Sequence, residues 1–387
     1  MRIAQINLLS VGNAVIRQFK QGEAEEGGCV MGVRIEDVDE SKLEELQGKV
    51  ITDVAGSLGL LTAYMGDQLD LYSALAEICP ATSQELAEST GMKERYLREW
   101  LSANVAGGYI DFDPASQEFS MTPEQVIIFA AEGNPHCMQG FFQAVVSGYI
   151  DEPKATDAFR TGEGVPWGDH SACLFCGTDR FFRPMYAENL IESWIPALDG
   201  VKEKLESGAK VADVGCGHGS STIILAQAFP NSTFHGFDFH EPSIEQAREH
   251  ARAAGVASNT IFEVTTAKEY PGKDYDLVAI FDALHDMGDP VGASKHVAST
   301  LAEGGTLMLV EPFAEDNLED NSHPLGQIYY SFSTMVCVPN SLSQEVGLAL
   351  GAQAGERRLT AVLNEGGLGH VRRAAETPTN MVLEARV

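Results

Sequence analysis

Basic residues are scarce in this chain: 26 Lys and Arg stand against 56 Asp and Glu, a formal net charge of −30 over 387 residues. So acidic a surface repels phosphate backbones and anionic lipid headgroups, so neither nucleic acid nor a membrane surface is the expected partner. Long apolar runs are also lacking. None approaches the ~18 residues needed to cross a bilayer. The opening "MRIAQINLLSVGNAVIRQFKQGEAEEGG" has no extended apolar core and no small-residue cleavage site, which argues against a signal peptide. Met31 begins a more ordinary opening, so residues 1–40 are expected to be an extension. The seven cysteines are odd in number and scattered. That pattern suits a reduced, cytoplasmic protein and not a disulfide framework. Cys173 and Cys176 form a lone CxxC with no second pair, and no two histidines stand at ligand spacing. No metal is expected from these patterns.

What is present falls into two halves. From Glu40 to about Met65 apolar residues recur at helical spacing: Leu43, Leu46, Val50, Val54, Leu58, Leu61. In "ATSQELAESTG" a Thr82 or Ser83 cap, Glu85 and a terminal Gly91 bound a helix. "MKERYLREWLSANVAGG" reads as another, stopped by Gly107-Gly108. "YIDFDPASQEFSMTP" reads as a hairpin turning between Phe112 and Phe119. Helices followed by a β-wing make a winged helix. Its candidate DNA-reading residues, Lys93, Arg95 and Arg98, are interleaved with Glu94 and Glu99, so packing or dimerisation is favoured over DNA reading. Residues 124–200 read as helical around an irregular aromatic insert, "DAFRTGEGVPWGDHSACLFCGTDRFF". That insert is either a lid over a pocket or interdomain packing.

From Ala209 strands and helices alternate: "KVADVG", "STFHGFD", "TIFEVT", "YDLVAIF", "GGTLMLVE", "GHVRRAAE", "NMVLEARV". Helical stretches are expected at Ser220–Phe229, Ser243–Ala254 and Gly292–Leu301, with a turn after Thr266. This predicts an α/β, Rossmann-like doubly wound sheet. Only "TPT" separates the last two strands, too little for a helical crossover, so they are expected to pair antiparallel.

"VADVGCGHGSST" sets Asp213, Gly215, Gly217 and Gly219 at the exit of the first of these strands. Glycines let backbone approach a ligand closely, and the following helix offers free N–H groups. Asp238 ends the next strand, where a carboxylate can accept both hydroxyls of a ribose. A pyrophosphate would be repelled by Asp213 at the loop entrance, whereas a sulfonium would not. The pattern therefore favours S-adenosylmethionine over a dinucleotide.

"DVGCGHGSST", "GFDFH" and "FDALHDMGDP" together resemble the class I S-adenosylmethionine-dependent methyltransferases, in particular bacterial members with an N-terminal winged helix. The resemblance spans most of residues 45–387. It implies an extension over 1–40, a winged-helix and dimerisation domain over 41–123, a helical linker and lid over 124–205, and a methyltransferase domain over 206–387. By resemblance Asp213, Gly215, Gly217 and Gly219 hold the methionine portion, Asp238 the ribose, and Phe239 lies beside the adenosine. Thr266 and Ala267 face the adenine edge, and Phe281 and Asp282 close the pocket.

"LHDMGDP" is further similar to the His-Asp stretch of plant-type small-molecule O-methyltransferases. There a histidine is the general base and two glutamates orient it. The matching residues here are His285, Glu311 and Glu356. Such a histidine can take an acceptor's proton near neutral pH. The alternative is that His285 only caps the strand exit, with Asp286 and Asp289 as turn residues before Pro290. Trp167, His170, Phe182, Arg183 and Tyr186 are the candidate acceptor contacts. The expected activity is O-methylation of a small molecule by a homodimer. The competing reading is a ligand-sensing winged-helix regulator.

Overall fold

Strand residues of the C-terminal half alternate between two apolar faces, and the fold follows from covering both. The computed structural model describes residues 37–387 and the backbone of a short strand pair, Cys29–Val30 with Val33–Arg34. The extension expected over 1–40 therefore falls mostly outside the described residues. In the C-terminal half the strands are β3 (Lys210–Val214), β4 (Thr233–Asp238), β5 (Thr260–Val264), β6 (Tyr275–Phe281), β7 (Leu301–Pro312), β8 (His370–Glu376) and β9 (Asn380–Arg386). They form one sheet in the order β8-β9-β7-β6-β3-β4-β5. β3 to β7 run parallel, and β9 pairs antiparallel with both β7 and β8.

Period-two alternation sends Leu277, Ala279, Met308 and Val310 to one core, and Val278, Ile280, Leu307 and Leu309 to the other. Each such fully buried aliphatic side chain contributes about 1.5–3 kcal/mol. Helices α9 (Ser220–Ala228) and α10 (Glu241–Ala253) cover the first face; α11 (Pro290–Thr300) and α13 (Gly355–Glu365) cover the second. The turn expected after Thr266 is present at residues 267–269.

The N-terminal half contains α1 (Glu40–Gln68), α2 (Leu71–Ile78), α3 (Ser83–Thr90) and α4 (Glu94–Gly107), then the wing, β1 (Asp111–Asp113) paired with β2 (Glu118–Ser120). Thr82 and Glu85 close a capping box at the start of α3, and Gly91 ends it in the left-handed region. The core of this half also takes in Phe129 on α5 (Pro123–Phe129) and Phe142 on α6 (Gln139–Thr161). The apolar stripe of α1 departs from the ordinary pattern: Leu43, Leu46, Val50, Val54 and Leu58 are all exposed, and only Ala63, Gly66 and Asp67 of that helix are buried.

The aromatic insert is mainly helical, not irregular. Residues 157–161 finish α6, and α7 runs Ala172–Asn189, so only residues 162–171 lack regular helix apart from one 3₁₀ turn at Trp167–Asp169. α6 and α7 cross in close contact through two glycines. A Cβ on Gly177 would lie 2.4 Å from the backbone nitrogen of Ala144, and one on Gly140 would lie 2.5 Å from that of Phe181. Across this crossing Arg180 of α7 forms a two-armed pair with buried Asp67 of α1, both contacts 2.9 Å, and also reaches Gln143 and Glu132. α7 thus joins the two halves.

The glycine crossing makes a prediction against the usual helix preference for alanine. Gly177→Ala should destabilise the protein by about 1–3 kcal/mol through overpacking, although alanine favours helix by about 0.5–1 kcal/mol at an open site. Urea unfolding should show a lowered midpoint at unchanged slope.

Candidate functional site

Parallel strands leave a crevice where the chain order reverses, here between β3 and β6, at the C-terminal ends. A cavity of about 480 Å3 opens there. The loop after β3 turns through Gly215, Gly217 and Gly219, all with positive φ. Gly215 and Gly217 line the cavity. Asp213 and Gly219 do not, which corrects their expected contact role. Asp213 is buried beneath the loop, where its Oδ2 accepts from Ser221 and Thr222 at the start of α9. Its Oδ1 has no partner. Gly219 sets the helix entry, with no room for a Cβ beside Phe262 and Ala247.

Asp238, at the end of β4, is on the wall. Its Oδ2 accepts from the Gly217 N–H at 2.9 Å and its Oδ1 from the His240 N–H at 2.8 Å. These bonds fix the carboxylate's direction and leave further lone pairs toward the cavity. Phe239, Thr266, Ala267, Phe281 and Asp282 line the same space. Asp282 takes a left-handed backbone turn at the end of β6 (φ 49°). Its carboxylate accepts from Tyr186 Oη at 2.9 Å and from Asn380 Nδ2 at 2.7 Å.

Behind Asp282 lies the histidine cluster. Glu311, at the end of β7, is buried; its Oε1 accepts from the Leu284 N–H at 2.9 Å, and its Oε2 accepts from His285 Nδ1. His285 Nε2 lies 3.3 Å from Asp286 Oδ1. That oxygen is buried with no hydrogen-bond partner. Burial opposes the imidazolium, but the Glu311 and Asp286 charges outweigh burial and hold the His285 pKa well above its usual value. Burial, then the Glu311 charge, pushes the Asp282 carboxyl up to about 7. Burial pushes Asp213 up to about 6, against its two hydroxyl bonds.

Three sequence assignments change. His285 is not on the cavity wall: Asp286 is, with the imidazole behind it. Asp286 is therefore a cluster member and not a plain turn residue. Glu356 pairs with Arg373 at 2.6 Å and is not among the partners of His285. The second carboxylate at the ring is Asp286.

Among the acceptor candidates, Trp167, Phe182 and Tyr186 line the cavity, while His170 and Arg183 do not. His170 is buried against Asp151, and burial lowers its pKa. Arg183 pairs with Glu132 and Asp179. Phe175 and Asp179 of α7, His218 of the loop, and Asn340 and Gln344 also line the cavity. The sequence marks only His218, by its place among the glycines. Asn340 lies in the helix Val338–Leu342, which continues α12 (Pro324–Phe332) through a π turn, Ser333–Cys337, and Gln344 follows it. Their amides donate to the Asp286 carbonyl, and Ser341 donates to that of Met287, so this segment clamps the loop that carries His285.

Known proteins place this geometry. Residues 205–367 match the family described as a methyltransferase domain, and residues 56–130 match the Rv2258c-like winged HTH domain. Residues 205–367 thus carry a methyltransferase domain, and residues 56–130 before it a winged-helix domain. It is similar to 27-O-demethylrifamycin SV methyltransferase of Amycolatopsis mediterranei, 33% identical over 145 residues, covering 37% of this chain and 48% of that protein. It is also similar to a ubiquinone biosynthesis O-methyltransferase of Methylococcus capsulatus, 30% identical over 156 residues, covering 40% and 62%. The chain spans about half the length of the curated relatives it matches. In fold it resembles mitomycin 7-O-methyltransferase, at TM-score 0.68 and 18% identity over 90% of this chain and all of that one. Human N-acetylserotonin methyltransferase, solved with S-adenosylmethionine, gives TM-score 0.66 and 15% identity over 90% and 98%.

S-adenosylmethionine is the cofactor implied, and the residues present fit it. Asp238 offers oriented acceptors for a ribose diol, and Phe239 an exposed ring beside it. The carboxylates around the crevice suit a cationic ligand.

The raised carboxyls set the sign of a pH effect. Folded Asp282 keeps a proton to about pH 7, whereas an unfolded Asp releases it near pH ~4. Its contribution is fully present below the unfolded value and is lost as pH rises through about 7. Asp282→Asn should flatten the fall in stability over that window, read from urea midpoints at several pH values.

Proposed function

We propose that this protein is an S-adenosylmethionine-dependent methyltransferase acting on an oxygen of a small-molecule acceptor. The observation that carries the reading is a shared cavity. Gly215, Gly217 and Asp238 line one part of it, and Asp286, with His285 and Glu311 behind, lines another. Methyl transfer to a hydroxyl requires the hydroxyl proton to leave. The cluster can take it: Asp282, Asp286 and Glu311 are three carboxylates around one imidazole. Among the described residues no lysine or arginine pairs with any of the three. An added proton lowers buried negative charge. Asp286 is the member that faces the acceptor, and its pKa is raised, by burial first and against the pull of His285. In this reading His285 is the base's partner, holding the proton pool between Asp286 and Glu311. Positioning of the acceptor by Trp167, Phe175 and Phe182 supplies the rest.

Supporting the enzyme over the regulator, Arg95 pairs with Glu99 at 2.5 Å and Arg98 with Glu94 at 3.0 Å, which leaves the winged helix few cations for DNA. The test is a methyl-transfer screen against phenols and alcohols, with calorimetry of the cofactor. His285→Ala and Asp286→Asn should each lower turnover about 10²–10⁴-fold with cofactor affinity kept. Asp238→Ala should weaken cofactor binding by about 1.5–3 kcal/mol. Absence of cofactor binding by the unaltered protein sinks the reading.

We further propose a homodimer built on α1. Its exposed stripe of Leu46, Val50, Val54 and Leu58 is longer than a solvated helix face carries without cost. Light scattering should report a dimer that Val50→Glu with Val54→Glu converts to monomer.

A further inference from the structure

We propose that His285, Asp286 and Cys337 form a binding site for a borderline-soft divalent cation of the zinc type, with Glu311 orienting the histidine from behind. No local spacing signals this site, because Cys337 arrives from a π turn 51 residues further along the chain than Asp286. One ligand atom from each residue lies within 4.8 Å of the others. A tetrahedral ion with ligands at about 2.0–2.3 Å needs them nearer about 3.3–3.8 Å, a change that side-chain rotation supplies.

Four observations converge on a metal. The donor set is one nitrogen, one oxygen and one sulfur, the mixture zinc takes and magnesium or calcium does not. The Nδ1 of His285 is bonded to Glu311, which leaves Nε2 as the ligand atom; a carboxylate behind a ligating histidine is the usual outer support. Asp286 Oδ1 is buried with no well-aligned hydrogen bond and faces Nε2 from 3.3 Å, and the Cys337 thiol interacts with both Asp286 and His285. And the pocket of carboxylates has no lysine or arginine of its own. The lysine on the cavity wall, Lys268, is taken by Asp289 and Glu345 at 3.2 and 3.0 Å. A divalent ion supplies the missing positive charge. On binding, the His285 Nε2 proton and the Cys337 thiol proton pass to solvent, so the acid–base balance closes without any redox partner. Three protein ligands leave a fourth position, and Asp286 is the ligand that lines the cavity. An acceptor oxygen or a water fits there.

The site deepens the reading of this cluster as the place where the acceptor's proton is handled, but its test is independent of turnover. Chelator-treated full-length protein is titrated with cobalt(II) and followed by absorption. We expect tetrahedral d–d bands with a thiolate charge-transfer band, saturating at one ion per chain and displaced by zinc. Cys337→Ala should abolish the charge-transfer band; Asp286→Asn should keep it and weaken binding at least tenfold. Absence of the band, or its persistence in Cys337→Ala through Cys173 and Cys176, overturns the proposal. Methyl transfer by the chelated protein is measured separately, so a failed metal site leaves the methyltransferase reading standing, and the reverse.

Discussion

Five carboxylates gathered at the C-terminal edge of one sheet are the constraint around which the rest of this structure is arranged. Asp213, Asp238, Asp282, Asp286 and Glu311 sit at or just beyond strand exits, and Asp213, Asp238 and Glu311 are buried. A buried ionised carboxylate is costly unless hydrogen-bonded or paired. Each therefore demands a donor, and the donors come from distant parts of the chain. Ser221 and Thr222 serve Asp213; backbone N–H groups serve Asp238; Tyr186 and Asn380 serve Asp282; Leu284 and His285 serve Glu311. Asp213 and Asp286 each keep one buried oxygen without a hydrogen bond. The accounting closes everywhere except at these two oxygens, and of the two residues only Asp286 is on the cavity wall.

This changes how the histidine is understood. A lone imidazole near its ordinary pKa is a ready base. An imidazole between two carboxylates in a dry site holds its proton firmly, and the proton-accepting capacity passes to the carboxylate with the weaker donors. A group of coupled sites titrates as one unit. The useful quantity is therefore the charge of the whole cluster, which each added proton brings closer to neutral.

The sheet, its order and its antiparallel closing pair were legible because strand patterns, helix caps and a three-residue link are local features. So were Gly215, Gly217 and Asp238, which stand at fixed offsets from strand ends. Asp286 was misread for a physical reason: beside Asp289 and Pro290 it has the composition of a turn, and burial is decided by what docks on the loop. That docking comes from Asn340, Ser341 and Gln344, whose amides and hydroxyl have no motif. Glu356 was misassigned because a glutamate at the right chain distance carries no record of its partner, which is Arg373. The stripe on α1 was legible as apolar but not as exposed, since periodicity gives a face and not its neighbour.

α7 explains what a winged helix contributes to a chain whose wing has few free cations. One side of α7 carries Arg180, bound with both arms to Asp67 in the winged-helix half. The other carries Phe175, Asp179, Phe182 and Tyr186, which wall the cavity. Tyr186 in turn donates to Asp282 at the exit of β6. α7 therefore contacts both the N-terminal half and the carboxylate cluster. Asp67 is buried and Arg180 partly so, which makes their pair costlier to break than an exposed one. The contacts that join α7 to the N-terminal half are close packing and an ion pair, neither of which needs a positive surface.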